Sequence, residues 1–254
     1  MDADVKHTQE PLSNFTYVTE LTGDSVHVWT ASLEQLQFDI DSLRSLLSPD
    51  ELARADRFYF ERDRNAYIAG RGLLRTLLSA YLGTPPAQIE FRYAVRGKPS
   101  LKAESPEQII QFNLAHSQDM VVYAFSRNRR LGIDVEQIRQ LSNLERIAEQ
   151  YFSPLEISYI RGLPEDEKTR AFFTLWTCKE ACLKATGDGL AVPLDQVEIT
   201  LKEGKPPGLI TLPGKQDLAA VWQLETFEIA TGYLASLAIE GGGCQVSFHQ
   251  INSI

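Results

Sequence analysis

Cysteine is scarce in this 254-residue chain: Cys178, Cys182 and Cys244 form no Cys-x-x-Cys pair and no zinc spacing. That excludes a zinc ribbon and a disulfide framework, and it points to a reducing, cytoplasmic setting. Long apolar runs are missing too, so no membrane span and no membrane partner is expected. The opening residues Met1-Asp2-Ala3-Asp4-Val5-Lys6-His7 are polar and lack the apolar stretch of a signal peptide. Residues 1–14 read as a mobile tail. Positive charge is in deficit, with 25 Lys and Arg against 34 Asp and Glu and a net charge of −9. Such a balance argues against a nucleic-acid partner. What remains, 43% hydrophobic and 23% charged, is globular composition, enough for one large core or two small ones.

The most telling stretch is Trp176-Thr177-Cys178-Lys179-Glu180-Ala181-Cys182-Leu183-Lys184, closed by Gly187 and Gly189. It reads as the end of a helix. Ala171, Leu175, Cys178, Cys182 and Ala185 form a stripe at helical spacing and should face the core. Glu180 and Lys184 lie one turn apart on the opposite face, with Trp176. A carboxylate and an ammonium so placed suit a metal and a phosphate together, or form an ordinary surface ion pair.

A second segment shifts that balance. Gly132-Ile133-Asp134-Val135-Glu136 reads as a short strand, with Ile133 and Val135 on one face and Asp134 and Glu136 on the other. Two carboxylates on one strand face repel each other unless solvent or a cation neutralises them. A hard divalent cation takes carboxylate oxygens and completes its shell with water and phosphate. Asp134, Glu136 and Glu180 are the candidate metal ligands, with Lys184 as a phosphate contact.

Charge is unevenly spread. Arg54 to Lys102 holds ten basic and four acidic residues, so it carries +6 and the rest of the chain −15. A local positive field in an acidic protein suits a small polyanion such as a nucleotide with several phosphates.

The chain also contains a diverged repeat. Leu47-Ser48-Pro49-Asp50-Glu51 matches Phe152-Ser153-Pro154-Leu155-Glu156 at an offset of 105 residues. Each Ser-Pro opens a helix, Pro being tolerated in the first turn. At that offset Arg75 aligns with Glu180 and Ser79 with Lys184. Gln88-Ile89-Glu90 then matches Gln196-Val197-Glu198, and Val26 to Trp29 falls near Ile133-Asp134. The implied fold class is α+β: two similar α/β halves related by pseudo-two-fold symmetry, residues 15–131 and 132–254. Each is a long helix on a small, mainly antiparallel sheet, with the ligand cleft shared between them. Between the halves, Phe112-Asn113-Leu114 and Met120 to Phe125 read as strands joined by a turn that carries His116. Arg96-Gly97-Lys98-Pro99 reads as a basic turn.

Gly97-Lys98-Pro99, Phe112-Asn113-Leu114-Ala115-His116-Ser117, Gly132 to Glu136 and Trp176 to Lys184 occur in that order. Together they resemble the 4'-phosphopantetheinyl transferases of the Sfp type, the single-chain pseudo-dimeric class, from about Val26 to Glu240. The resemblance implies transfer of phosphopantetheine from coenzyme A to a serine of an apo acyl or peptidyl carrier protein, releasing adenosine 3',5'-bisphosphate. It implies that Asp134, Glu136 and Glu180 bind magnesium, with manganese also suited to oxygen ligands. Glu180 would act as base, as metal ligand, or both, and Lys184 would contact the pyrophosphate. His116, Lys98 and Arg54 would surround the 3'-phosphate and adenine end, with Arg96, Gly97 and Asn113 carried over more loosely. Family members often carry Ser where Ala115 stands, and a serine there is expected to bind coenzyme A at least as tightly. An apolar patch within Ile138 to Ile160 is expected to receive the carrier helix, and the internal repeat makes a monomer the expectation. A non-catalytic coenzyme A or carrier-binding module, and another magnesium-dependent enzyme on a nucleotide diphosphate, are the competing readings.

Overall fold

The computed structural model describes residues 20–36, 38–102, 110–187, 192–212 and 222–252. The expected tail and Gly189 lie outside them. Strand β1 (Ser25–Ser32) is followed by helices α1 (Ile40–Ser45), α2 (Pro49–Ala55) and α3 (Glu61–Leu82), a ribbon β2 (Phe91–Tyr93) and β3 (Pro99–Leu101), and a hairpin β4 (Ile110–Ser117) and β5 (Met120–Arg127). The same order then recurs. Strand β6 (Leu131–Gln137) precedes α4 (Leu144–Tyr151), α5 (Pro154–Gly162) and α6 (Glu165–Thr186). The ribbon β7 (Glu198–Thr200) and β8 (Gly208–Thr211) and the hairpin β9 (Trp222–Ala230) and β10 (Tyr233–Glu240) complete it. A last strand, β11 (Gln245–Gln250), has no counterpart in the first half.

The layers run helix, sheet, sheet, helix. The first sheet has the order β11-β1-β5-β4 and the second β6-β10-β9. All neighbours are antiparallel except β11, which pairs parallel with β1. Leu73, Leu74, Leu77 and Leu78 of α3 pack on Phe112, Tyr123 and Phe125 of the first sheet. Leu175, Cys178, Ala181 and Cys182 of α6 pack with Leu224, Leu234 and Ala238 of the second, as the stripe predicts. Val26, Val28, Val122, Ala124, Ile133, Val135 and Leu237 form a third cluster between the two sheets. The central strands β5 and β10 are therefore covered on both faces, which is why Met120 to Phe125 and Tyr233 to Ile239 read as nearly continuous apolar runs. Among the described residues no helix is long and apolar enough to cross a membrane.

The repeat is real, but its helix register needs correcting. α3 and α6 stand 104 residues apart, not 105, because α5 is two residues longer than α2 while the link that follows it is three residues shorter. Arg75 therefore matches Lys179 rather than Glu180, and Thr76 occupies the Glu180 position. This register explains the buried charges. In the first half, the Glu51 carboxylate accepts from Ser48 N at 3.0 Å and pairs with Arg71 and Arg75. Arg75 Nη1 donates onward to the carbonyls of Pro86 (2.8 Å) and Ile89 (2.9 Å). In the second half, Glu156 accepts from Ser153 N at 2.8 Å and pairs with Lys179, which donates to the carbonyls of Leu194 and Val197. One glutamate thus caps a short helix and neutralises the cation that pins the turn beyond the long helix.

Burial alone would push Glu51 up, yet Arg71, the Ser48 N–H and Arg75 hold its carboxyl below the ordinary 4.5. A depressed carboxyl stabilises the fold above the ordinary value and loses that contribution as pH falls through the depressed one. Glu51→Ala leaves two guanidiniums buried without a counter-charge and should cost about 3–5 kcal/mol, read from the denaturant midpoint. A midpoint equal to wild type would mean water or Tyr93 already compensates Arg71.

Three further expectations change. His116 is not on a turn: β4 continues through Ser117, and a two-residue turn at Gln118-Asp119 joins it to β5. Gln118 takes φ 54°, which lets the hairpin close without the longer loop. Residues 245–250, expected with the second half, lie in the first half's sheet. In the 138–160 segment, Ile138, Leu141, Leu144, Ile147, Ala148 and Phe152 pack on the second core. Leu155 and Tyr159 of α5 remain exposed at 65% and 38%.

Candidate active site

Gly132 determines how near α6 lies to β6. A Cβ there would stand 2.1 Å from the carbonyl oxygen of Ala181 and 2.4 Å from the Ala185 nitrogen. Only a residue without a side chain lets strand and helix backbones meet so closely. The contact brings Glu180 and Lys184 beside the outward face of β6. Lys184 Nζ donates to Asp134 Oδ1 at 2.6 Å. Asp134 is 6% exposed, and its Oδ2 is buried without a hydrogen-bond partner. Glu136 Oε2 accepts from the Ser117 hydroxyl at 2.9 Å, with Arg139 Nη1 at 4.0 Å. Among the described residues Glu180 accepts no hydrogen bond.

The three carboxylates share one field. Burial raises the Asp134 carboxyl despite Lys184. Burial also raises Glu136, and the Asp134 charge adds to it. Glu180 is raised by burial, then by Asp134 and Glu136. Acidic groups that raise one another and leave a buried oxygen unpartnered have the donor chemistry of a hard-cation site. Among the described residues, no three His, Cys, Asp or Glu side chains already stand as a closed ligand set. The Lys184 ammonium holds Asp134 and the Ser117 hydroxyl holds Glu136.

First-half residues approach from β4 and the basic loop. His116 is exposed at the end of β4, and its charge is felt by Asp134. Asn113 Oδ1 accepts from Ile133 N at 2.8 Å and ties β4 to β6. Lys98 donates to the carbonyls of Leu131 (3.2 Å), Lys184 and Ala185 (3.4 Å). A cation at the C-terminal carbonyls of α6 complements the helix dipole and fastens the 96–99 loop to the last turn. Gly97 takes φ 81° in that loop beside Arg96. Ala115, for its part, belongs to the apolar cluster between the sheets, so its side chain does not face the His116 surface.

A separate open cavity of about 550 Å³ lies in the first half. Asp50, Arg54, Arg57, Phe58, Tyr67, Tyr93 and Gly97 line it. Of the sequence-predicted residues, Arg54 and Gly97 are there, whereas Asp134, Glu136, Glu180 and Lys184 are not. The two regions meet through the Gly97-Lys98 link. Part of the basic run is taken up by ion pairs, since Arg71 and Arg75 pair with Glu51 and Lys102 with Glu90. Sequence reasoning gave no site role to Ser117, which the structure places against Glu136, or to Arg57, Tyr67 and Tyr93, which line the cavity. Alternation along β4 would have put Ser117 on the face of Asn113 had the turn been recognised.

Comparison with known proteins agrees with this geometry. Residues 130–238 match the model of the 4'-phosphopantetheinyl transferase superfamily, and residues 27–128 match that of the 4'-phosphopantetheinyl transferase N-terminal region. The chain is 42% identical over 228 residues to the 4'-phosphopantetheinyl transferase HetI of Nostoc sp., covering 90% of this chain and 93% of that protein. It is 32% identical over 197 residues to the 4'-phosphopantetheinyl transferase Sfp of Bacillus subtilis, covering 78% and 84%. With two matched halves, and a relative of this identity aligned nearly end to end, the chain belongs to the 4'-phosphopantetheinyl transferases, in their Sfp type.

Proposed function

We propose that this chain moves the 4'-phosphopantetheine group of coenzyme A onto a serine hydroxyl of an apo acyl or peptidyl carrier protein. The observation that carries the reading is the carboxylate trio: Asp134 with a buried unpartnered oxygen, beside Glu136 and Glu180, with the Lys184 ammonium at its edge. Asp134, Glu136 and Glu180 would hold magnesium, or manganese. When bound, the cation supplies charge neutralisation and Lewis acidity at the diphosphate.

The chain's own groups do the rest. The serine oxygen bonds to the phosphorus that carries the pantetheine, and the bond from that phosphorus to the bridging oxygen breaks. Adenosine 3',5'-bisphosphate leaves with the electron pair. Glu180 takes the serine proton at its carboxylate, a role suited to a group whose burial and neighbours raise its basicity. Lys184 steadies the charge on the leaving phosphate, since displacement at phosphorus needs positioning and charge stabilisation more than covalent help. Arg54 and Arg57 in the cavity and His116 at the end of β4 are read as holding the 3'-phosphate and adenine end. Lys98 and Asn113 act one step back, by holding loop and strand. Both halves lie in one chain, so a monomer suffices. The exposed Leu155 and Tyr159 on α5 are read as the apolar contact for a carrier helix.

The test is intact-mass spectrometry of an apo acyl carrier protein with this protein, coenzyme A and magnesium. The expected result is a gain of one phosphopantetheine group that disappears with chelator. No gain on any of several carriers, with coenzyme A binding confirmed, would leave a binding module. Breakdown of coenzyme A without transfer would mean a hydrolase.

A further inference from the structure

Ser117 has no role in the reading above, yet it holds one of its carboxylates. It ends β4 and is buried, although its neighbour His116 is exposed. Its hydroxyl donates to Glu136 Oε2 at 2.9 Å and accepts from the Gln137 N–H at 3.2 Å. A hydroxyl has one proton and two lone pairs, so both bonds form at once. A first-half side chain thus grips the side chain of Glu136 and the backbone just beyond it.

The support behind Ser117 is rigid. Asp119, in the adjoining turn, accepts from Tyr233 Oη at 2.6 Å and from Ser32 Oγ at 2.7 Å. Its own carbonyl accepts from Leu33 N at 2.8 Å. Asn113, on the same face of β4, takes the Ile133 N–H of β6. Among the described residues the other ion-pair partner of Glu136 is Arg139, at 4.0 Å and half-exposed. Without the hydroxyl, nothing firm would hold that carboxylate.

We propose that Ser117 is a positioning residue that fixes the Glu136 carboxylate for cation binding and couples the first half's hairpin to the site in the second. The proposal rests on reading Asp134, Glu136 and Glu180 as cation ligands. Hydrogen bonds to a ligating carboxylate set its orientation, and losing one typically costs about 10–100-fold in metal affinity or activity.

The experiment is a manganese titration followed by electron paramagnetic resonance, without coenzyme A or carrier, on wild type, Ser117→Ala, Ser117→Thr and Asp134→Asn. Thermal melts run alongside. Ser117→Ala should bind manganese about tenfold more weakly. Ser117→Thr should bind close to wild type, because it keeps the hydroxyl and suits a strand. In turnover, Ser117→Ala should raise the KM for metal and leave kcat at saturating metal little changed. Two results would overturn the proposal: a folded Ser117→Ala with wild-type manganese affinity, or a Ser117→Thr as weak as the alanine variant. Should Ser117→Ala not fold, Ser117→Cys, close in shape but a far weaker donor, carries the comparison, and unchanged affinity there overturns it equally. Manganese binding that is absent in wild type, or unchanged in Asp134→Asn, removes the cation reading itself and the proposal with it.

Discussion

Glu180→Gln is expected to give a fully folded protein that has lost roughly 99% or more of its transferase activity, the usual loss when a general base is removed. The amide keeps the shape of the side chain but can neither take a proton nor offer a full charge to a cation. Stability should not fall. Burial and the Asp134 and Glu136 charges raise the folded-state carboxyl, so ionised Glu180 weakens the fold as pH rises through that raised value. A neutral amide removes the repulsion, and the melting temperature at neutral pH should hold or rise. Rate and melt together separate chemistry from damage. An unaltered rate would take Glu180 out of the mechanism, and a lost rate with a collapsed melt would make its role structural.

Gly132→Ala is the second large effect, and it acts by sterics alone. The new methyl would meet Ala181 O at 2.1 Å, Ala185 N at 2.4 Å and the Lys184 carbonyl carbon at 2.9 Å. All three are backbone atoms, so no side chain can swing aside, and α6 must withdraw from β6. Overpacking of this kind costs about 1–3 kcal/mol or more. At about 2–4 °C per kcal/mol for a chain of this size, the melting temperature should drop by several degrees. Activity should fall further than stability implies, since withdrawal carries Glu180 and Lys184 away from Asp134. A displacement of roughly 1 Å at a catalytic group can cost about a hundredfold. Gly70→Ala in α3 is the control: its Cβ would find nothing nearer than the Tyr123 hydroxyl at 4.0 Å. That variant should be neutral or slightly stabilising. Equal melts and rates for Gly132→Ala and wild type would show that α6 has slack at the site.

How much of this could be read from residues alone follows from what is local. The α6 stripe and the β6 alternation are periodic signals within single elements, and Asp134, Glu136, Glu180 and Lys184, which the structure brings together, were singled out through them. The repeat was visible in Ser-Pro-x-Glu because a helix start has its own chemistry. Its register slipped by one because a shorter link leaves no mark in the residues themselves. Arg71 and Arg75 read as part of a positive surface, as charged residues usually are, while their burial depends on Glu51 from another helix. Ser117 was hidden by the turn, where Gln118 takes a positive φ that glutamine seldom adopts. β11 alternates like any half-exposed strand, and nothing in its six residues names β1, some 220 positions earlier in the chain, as its partner.

That pairing governs the order of events during synthesis. β1 leaves the ribosome long before β11, and residue 250 must emerge before β11 can lie beside it. Until then β1 keeps an open hydrogen-bonding edge, while the α3 core beneath it is free to assemble. Domains made first usually fold first, and exposed strand edges invite pairing with other chains. The nascent first half is therefore the stage most exposed to mispairing. When β11 arrives, it closes that edge and clasps the second half to the first.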